Sequence, residues 1–137
     1  MKTKILVIGI IIKENKVLMR KKPEGSLPYN QTWYLFGGEL TSDMTPQEAI
    51  KKQVKNQANI DINFVKSLDW DTEEKKDLDG IKKYFVYLNC LCEYDSGDLL
   101  PSSDIEKLEW IKTGDLINYD IVPPAKALLQ RLGYLEP

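Results

Sequence analysis

The sequence predicts a single domain, residues 1–137, of the α/β or α+β class, with helices packed on a mixed β-sheet. Apolar runs of strand length recur through most of the chain, and only two segments have the residue spacing of amphipathic helices. One of these helices interrupts the series of strands, and the other ends the chain. A chain of 137 residues is long enough to bury one core, and no repeat or linker divides it.

The N-terminal part is predicted to form two strands, residues 3–13 and 16–21, joined by a turn at residues 14–16. The next segment, KPEGSLPYNQ (22–31), contains a glycine and two prolines, so we expect an irregular loop. A short strand with the sequence TWYLF follows, and Gly37–Gly38 is expected to end it.

A capped amphipathic helix is predicted over residues 46–58. Thr45 is its expected N-cap, Pro46 suits the first helical position, and Glu48 completes a T-x-x-E capping box. The apolar stripe that would face the sheet recurs every four residues and comprises Ile50, Val54 and Ala58.

Two long strands are predicted after this helix, residues 61–72 and 82–94. They are joined across residues 73–81, where Asp79–Gly80 favours a tight turn. The charges near this turn mix both signs, so we expect the hairpin end to be a solvated surface. Residues 107–112 form another short strand, and residues 123–135 form a terminal helix with prolines at its start.

Composition excludes several functional classes. A net charge of −2 and an isoelectric point near 5.3 give no general attraction to nucleic acid or to an anionic membrane. The longest apolar run, residues 5–12, is too short to span a bilayer and lacks a signal cleavage site, so a cytoplasmic location is expected. The chain has no histidine, which removes imidazole bases and most zinc sites. Cys90 and Cys92 would share one face of a strand, and we expect two small buried or half-buried thiols in a reducing compartment.

Three amide side chains lie along one side of the predicted central helix. Gln53, Asn56 and Gln57, here called the amide flank, fall at positions i, i+3 and i+4, so they gather beside the apolar stripe. Glutamates at this spacing would converge as a metal site. Amides are also common on a solvated helix surface, and the helix alone does not separate these two interpretations.

The surroundings of this helix resemble the Nudix hydrolase superfamily, the MutT-like proteins. The box of that family is G-x5-E-x7-R-E-U-x-E-E-x-G-U, where U is a bulky aliphatic residue, and it aligns without a gap from Gly38 to Ile60. The first glycine and both aliphatic positions match, and Lys52 replaces the arginine. The remaining positions depart from the box, because Met44 and the amide flank replace the glutamates and Asn59 replaces the second glycine. The box is therefore degenerate.

The resemblance continues outside the box. Trp33 and Leu35 occupy the positions of the W-x-L-P-G-G segment of the family, with Phe36 in place of its proline. Residues 104–116 and 122–135 resemble its tryptophan-containing strand and its closing helix. The resemblance implies an α/β/α sandwich with a mixed, curved sheet, a central box helix and a C-terminal helix.

The resemblance also implies a chemistry, which the substitutions alter. Family members hydrolyse the phosphoanhydride of nucleoside diphosphate-linked substrates with Mg²⁺ or Mn²⁺ held by the box glutamates. Neutral amides bring no charge to hold such a cation and cannot act as a general base. We therefore expect no metal cofactor, lost or weak hydrolysis, and a nucleotide- or phosphate-binding role. The alternative is an active pyrophosphohydrolase that uses Mg²⁺ or Mn²⁺ and acids outside the box, namely Glu39 and Asp43.

The residues expected to bind the ligand are Arg20, Trp33, Gly37, Gly38 and Lys52. The two cations would attract a phosphate, which three amides do not repel as three carboxylates would. Trp33 would offer a ring on which a base could stack, and Tyr29 in the 22–31 loop would offer a second ring. The alternative for Trp33 is a position in the core. The expected partner is a small nucleotide or diphosphate, without membrane or general nucleic-acid binding, and a homodimer is left open.

Overall fold

The structure is a computed structural model that describes all residues, 1–137. It contains seven strands, two α-helices and one 3₁₀ helix. The elements are β1 (Thr3–Lys13), β2 (Lys16–Lys21), β3 (Trp33–Tyr34), β4 (Phe36–Glu39), α1 (Pro46–Ala58), β5 (Asp61–Lys76), β6 (Lys82–Ser96), β7 (Lys107–Lys112), the 3₁₀ helix (Thr113–Asn118) and α2 (Pro123–Arg131).

All seven strands form one mixed sheet. Its order is β3-β2-β1-β6-β5, with β4 also paired to β1 and β7 also paired to β2. The central pair, β1 and β6, is parallel, and the other pairs are antiparallel. The mixed sheet predicted from the sequence is confirmed.

The two α-helices pack on opposite faces of this sheet, because the side chains of a strand alternate between its faces. Val7 and Ile11 of β1 belong to a core cluster with Ile50 and Val54 of α1. Ile10 belongs instead to the cluster that contains Leu128 and other residues of α2. The layers are therefore helix, sheet and helix.

The start and the end of α1 are fixed locally, as the sequence predicts. The Thr45 hydroxyl accepts a hydrogen bond from the backbone N–H of Glu48 at 3.2 Å, and the carboxylate of Glu48 accepts one from the Thr45 N–H. Asn59 ends the helix in the left-handed conformation, with φ of 62°. Such a cap is worth about 1 kcal/mol and sets the register of the amide flank.

Several predicted boundaries were wrong. Gly37 and Gly38 do not end a strand, because they lie within β4 and pair with Ile8 and Val7 of β1. The strand β5 continues to Lys76, since pairing with β6 extends to the turn. The helix α2 ends at Arg131, before the predicted residue 135.

The core also holds both cysteines, Cys90 and Cys92, which are 3% and 0% exposed on the α1 side. Their sulfur atoms lie 3.9 Å apart and both thiols are free. None of the helices has the length and apolar content that a bilayer span requires.

Candidate ligand cavity

A cavity of about 290 Å³ lies between the sheet and α2, on the face of the sheet opposite α1. Its walls come from β1, β2, β4, β5, β6, the loop before β3 and the start of α2. Ile8, Leu35, Val122, Ala125 and Leu128 form much of the apolar wall. The charged and polar side chains that enter it are distributed unevenly.

One end of the cavity carries two cations without an acidic partner. Arg20 donates from Nε to the carbonyl oxygen of Leu35 at 2.9 Å, and its guanidinium lies 5.4 Å from the centre of the Tyr34 ring. Lys22 Nζ lies 4.6 Å from the centre of the same ring and makes no hydrogen bond or ion pair with the protein. Both residues line the cavity and give this end its positive charge.

The ionisation of these cations reflects their confinement. Burial lowers the pKa of Arg20 to about 10, although Asp104 works in the opposite direction. Burial likewise lowers the pKa of Lys22, and the charge of Arg20 lowers it further. Two like charges held together out of water are stabilised by an anion placed between them.

Tyr34 adds an unsatisfied hydroxyl beside this cation pair. The residue is 7% exposed and lines the cavity, and its hydroxyl is buried without a hydrogen-bond partner. Burial raises the pKa of Tyr34, while the nearby charge of Arg20 acts in the opposite direction. A buried polar group without a partner costs about 1–3 kcal/mol, which a ligand could recover.

A neutralised network around Glu73 lies beside the cavity, and Tyr29, Lys75 and Tyr87 of this network line it. The Oε1 atom of Glu73 accepts from the hydroxyls of Tyr29 and Tyr87 at 2.6 and 2.7 Å, and Lys75 Nζ lies 3.1 Å away. Burial alone would raise the pKa of Glu73, but the two tyrosine hydroxyls and Lys75 outweigh it and lower that pKa. Lys75 also lies 4.6 Å from the rings of Tyr29 and Phe85. This network carries no free charge.

The β5–β6 turn is attached to β1 at the mouth of the cavity. Asp77 Oδ2 accepts from Lys4 Nζ at 2.8 Å and from Lys83 Nζ at 2.9 Å. These two bonds, that of Lys4 first, hold the pKa of Asp77 well below its usual range. Leu78, next in the turn, lines the cavity although it is largely exposed.

The far end of the cavity lies under α2 and presents hydrogen-bond acceptors. Asn89 of β6 is 4% exposed, and its Nδ2 donates to Asp71 Oδ2 at 2.9 Å and to Asp69 Oδ1 at 3.3 Å. Arg131 of α2 holds both carboxylates, with contacts of 3.1 Å to Asp69 and 2.8 Å to Asp71. Asn89 and Asp71 line the cavity.

The amide flank lies outside this cavity, over the glycine pair on the other face. A Cβ atom at Gly38 would lie 2.2 Å from Cγ of Gln53, so the glutamine packs directly on the glycine. Gln57 Nε2 donates to Gln53 Oε1 at 3.3 Å, and Gln57 Oε1 is buried without a partner. Asn56 is exposed.

This arrangement does not fit Mg²⁺ or Mn²⁺. Such cations require about six hard oxygen ligands and negative charge to offset the loss of their hydration. The flank offers neutral amides, one of which is already bonded to the other, and one unsatisfied oxygen. No group of three cysteine, aspartate or glutamate side chains anywhere in the chain is arranged to hold a metal ion.

The structure brings together only some of the residues that the sequence suggested. Arg20, Gly37 and Glu39 line the cavity, Glu39 with its carboxylate 3.9 Å from Lys4 Nζ. Gly38 is covered by Gln53, as described above. Lys52 is exposed on α1, and Asp43 is exposed in the preceding loop, where it accepts a hydrogen bond from Thr41 at 2.5 Å.

Trp33 lies in the core instead of in the ligand cavity. It is 7% exposed, and its ring packs edge-on against Tyr119 with centroids 5.1 Å apart. Its neighbour Tyr34, which belongs to the same core cluster, lines the cavity. The aromatic ring next to the cations is therefore that of Tyr34.

Sequence reasoning missed the cavity residues contributed by the β5–β6 hairpin. The acidic end of the hairpin was expected to be a solvated surface, but Glu73 and Lys75 are half-buried, and Lys75 lines the cavity. The sequence did contain a signal, because strand residues two apart point to the same face. Tyr87 and Asn89 therefore share one face of β6, and Glu73 and Lys75 share one face of the paired strand β5. The sequence pattern did not show which face of the sheet would carry the cavity, because that depends on where α2 packs.

Comparisons with known proteins agree with this architecture. The model of the NUDIX domain family matches residues 3–132. The nucleoside triphosphatase NudI of Escherichia coli is 22% identical over 141 residues, covering 98% of this chain and 100% of NudI. The crystal structure of a MutT NUDIX hydrolase from Burkholderia pseudomallei superposes with a TM-score of 0.74 at 16% identity, over 96% of this chain and 99% of the other. A NUDIX hydrolase from Nitrosomonas europaea gives 0.71 at 19% identity, over 98% and 75%.

Proposed function

Since the chain belongs to the NUDIX domain family, we propose that it binds a nucleotide-like ligand by its phosphate group in the cavity under α2. No metal is required for this binding, and phosphoanhydride hydrolysis is weak or lost. The observation that carries the proposal is the pair of cations, Arg20 and Lys22, that enters the cavity without an acidic partner.

The charge balance within the cavity supports an anionic ligand at this pair. Lys4 is paired with Asp77 and Lys75 with Glu73, so neither lysine has a charge to spare. Asp104 acts on Arg20 and Lys22 only from a distance, because neither cation forms an ion pair with it. A phosphate that accepts bonds from both cations forms charge-assisted hydrogen bonds, which are about twice as strong as neutral ones.

Tyr34 supports the same assignment. Its unsatisfied hydroxyl can donate to a phosphate oxygen, and both cations lie against its ring. The relative NudI is a nucleoside triphosphatase by name, so a nucleotide is the first ligand to test.

The test is calorimetric titration of the protein in EDTA with ADP, inorganic pyrophosphate and adenosine. We expect ADP to bind more tightly than adenosine and its affinity to fall as the salt concentration rises. The substitution Lys22→Ala should weaken ADP binding about 10-fold or more, because it removes one charge-assisted bond. Lys66→Ala is the matched control, since Lys66 is an exposed lysine on β5 outside the cavity. Equal affinities of ADP and adenosine, or an equal loss in both variants, would refute phosphate binding at this pair.

A second candidate is an active hydrolase that uses acids outside the box. Glu39 favours it, because its carboxylate lines the cavity beside Gly37. The activity to be measured is phosphate release from nucleoside di- or triphosphates with Mg²⁺ or Mn²⁺ added. Turnover that is abolished by Glu39→Gln or Asp43→Asn supports this candidate, whereas robust turnover that survives both changes would place the chemistry elsewhere.

A further inference from the structure

The cavity is polarised along its length. Cations without an acidic partner lie at the Arg20 end, and acceptor oxygens of Asn89 and Asp71 lie under α2. Asn89 of β6 pairs with Ile8 of β1, which in turn pairs with Gly37 of β4. Two strand spacings of about 4.8 Å therefore place Asn89 roughly 10 Å across the sheet from Gly37, which follows by two residues Leu35, whose carbonyl oxygen accepts a hydrogen bond from Arg20. A ligand with an anionic group at one end and hydrogen-bond donors at the other fits this distribution.

The orientation of the Asn89 amide is fixed by its neighbours. Its Nδ2 donates to Asp71 and Asp69, and the reversed amide would place Oδ1 against two carboxylates. Arg131 holds both carboxylates, so they cannot easily turn away. The Oδ1 atom of Asn89 therefore remains an acceptor.

No protein group donates to this oxygen, although Asn89 is 4% exposed and lines the cavity. The apolar side chains of Ile8 and Leu128 line the same cavity, so a flat ring can pack against them there. A ring nitrogen or exocyclic amine would give Oδ1 its missing donor, whereas a carbonyl oxygen would face it as a second acceptor.

We propose that Asn89 Oδ1 selects a ligand whose heterocyclic ring carries an exocyclic amino group, as in adenine or cytosine. This inference rests on the proposed function, because the phosphate at Arg20 and Lys22 sets the direction in which the ring enters. The carboxylate of Asp71 next to the amide reinforces the preference for a donor and disfavours a carbonyl edge. Asn89 is thus a specificity-determining residue, and it takes part in no bond-breaking step.

The decisive experiment compares pairs of ligands that differ only in the amino group, by calorimetry on the wild-type protein in EDTA. AMP is compared with purine riboside 5′-monophosphate, and CMP with pyrimidin-2-one riboside 5′-monophosphate. We expect the amino-bearing member of at least one pair to bind about tenfold more tightly, because its analogue displaces water from Asn89 Oδ1 without giving that oxygen a donor.

The substitution Asn89→Leu assigns the effect to this residue. It should abolish the difference within the pair, so that both members bind with the same affinity. If the variant does not fold, as judged by its circular dichroism, the wild-type comparison still decides the question. Equal affinities within both pairs would overturn the selection by Asn89 while leaving phosphate binding intact. Failure of all four monophosphates to bind would overturn the proposed function itself.

Discussion

The contact between α1 and the glycine pair makes a quantitative prediction. In Gly38→Ala, the new Cβ would lie 2.2, 2.4 and 2.5 Å from Cγ, Cδ and Nε2 of Gln53, against about 3.5–4.0 Å for ordinary contact. Gln53 can escape only by changing its rotamer, which breaks its 3.3 Å hydrogen bond with Gln57. Overpacking of this kind costs about 1–3 kcal/mol, so we expect Gly38→Ala to lower the free energy of unfolding by about 2 kcal/mol.

The measurement is a double-mutant cycle in urea with Gly38→Ala, Gln53→Ala and both together. Truncation of Gln53 removes the colliding atoms, so the cost of Gly38→Ala should fall to within about 0.5 kcal/mol in that background, a coupling of about 1.5 kcal/mol. In thermal melts the single variant should lose roughly 8 °C, at about 4 °C for each kcal/mol in a chain of this size. Gly114→Ala is the control, since no heavy atom lies within 4 Å of its added Cβ. An equal cost of Gly38→Ala in both backgrounds would refute the packing of Gln53 on the glycine.

Two further predictions concern charge. Replacing all three residues of the amide flank by glutamate should lower the free energy of unfolding in EDTA by a few tenths of a kcal/mol for each i, i+3 or i+4 pair, and so lower the melting temperature. Millimolar Mn²⁺ should restore the melting temperature in the mutant alone. Identical melts with and without Mn²⁺ would show that the three side chains do not converge. The depressed pKa of Asp77, held down by Lys4 and Lys83, adds stability above the unfolded-state pKa of about 3.9 that is lost as the pH falls. Asp77→Asn should therefore reduce the loss of melting temperature between pH 7 and pH 3, and an unchanged pH profile would contradict this role.

The elements that local patterns specify were predictable from the chain. The capping box and the four-residue apolar repeat placed α1 at residues 46–58, where the structure has it. The spacing from Gly38 to the amide flank carried the family resemblance, and the family match confirms it. These features depend on residues close together in sequence, so one sequence is enough to recognise them.

The cavity was only partly predictable. Arg20 was identified because it precedes the loop at the end of β2, and the structure does place it at one end of the cavity. Glu73 and Lys75 were assigned to a solvated hairpin because the segment around them mixes charges of both signs. Their burial depends on Tyr29, whose hydroxyl donates to Glu73 across 44 residues of sequence. No local pattern encodes such a contact.

The sequence by itself therefore determined the helix α1, the strands of the mixed sheet and the identity of the residues at the box positions. Only the tertiary structure decided that Gln53 covers Gly38 and that the cations and Asn89 enter a cavity on the opposite face. Local elements follow from backbone propensities and from the periodicity of apolar residues. The environment of a polar side chain depends on which distant element packs over its face of the sheet, and here that element is α2.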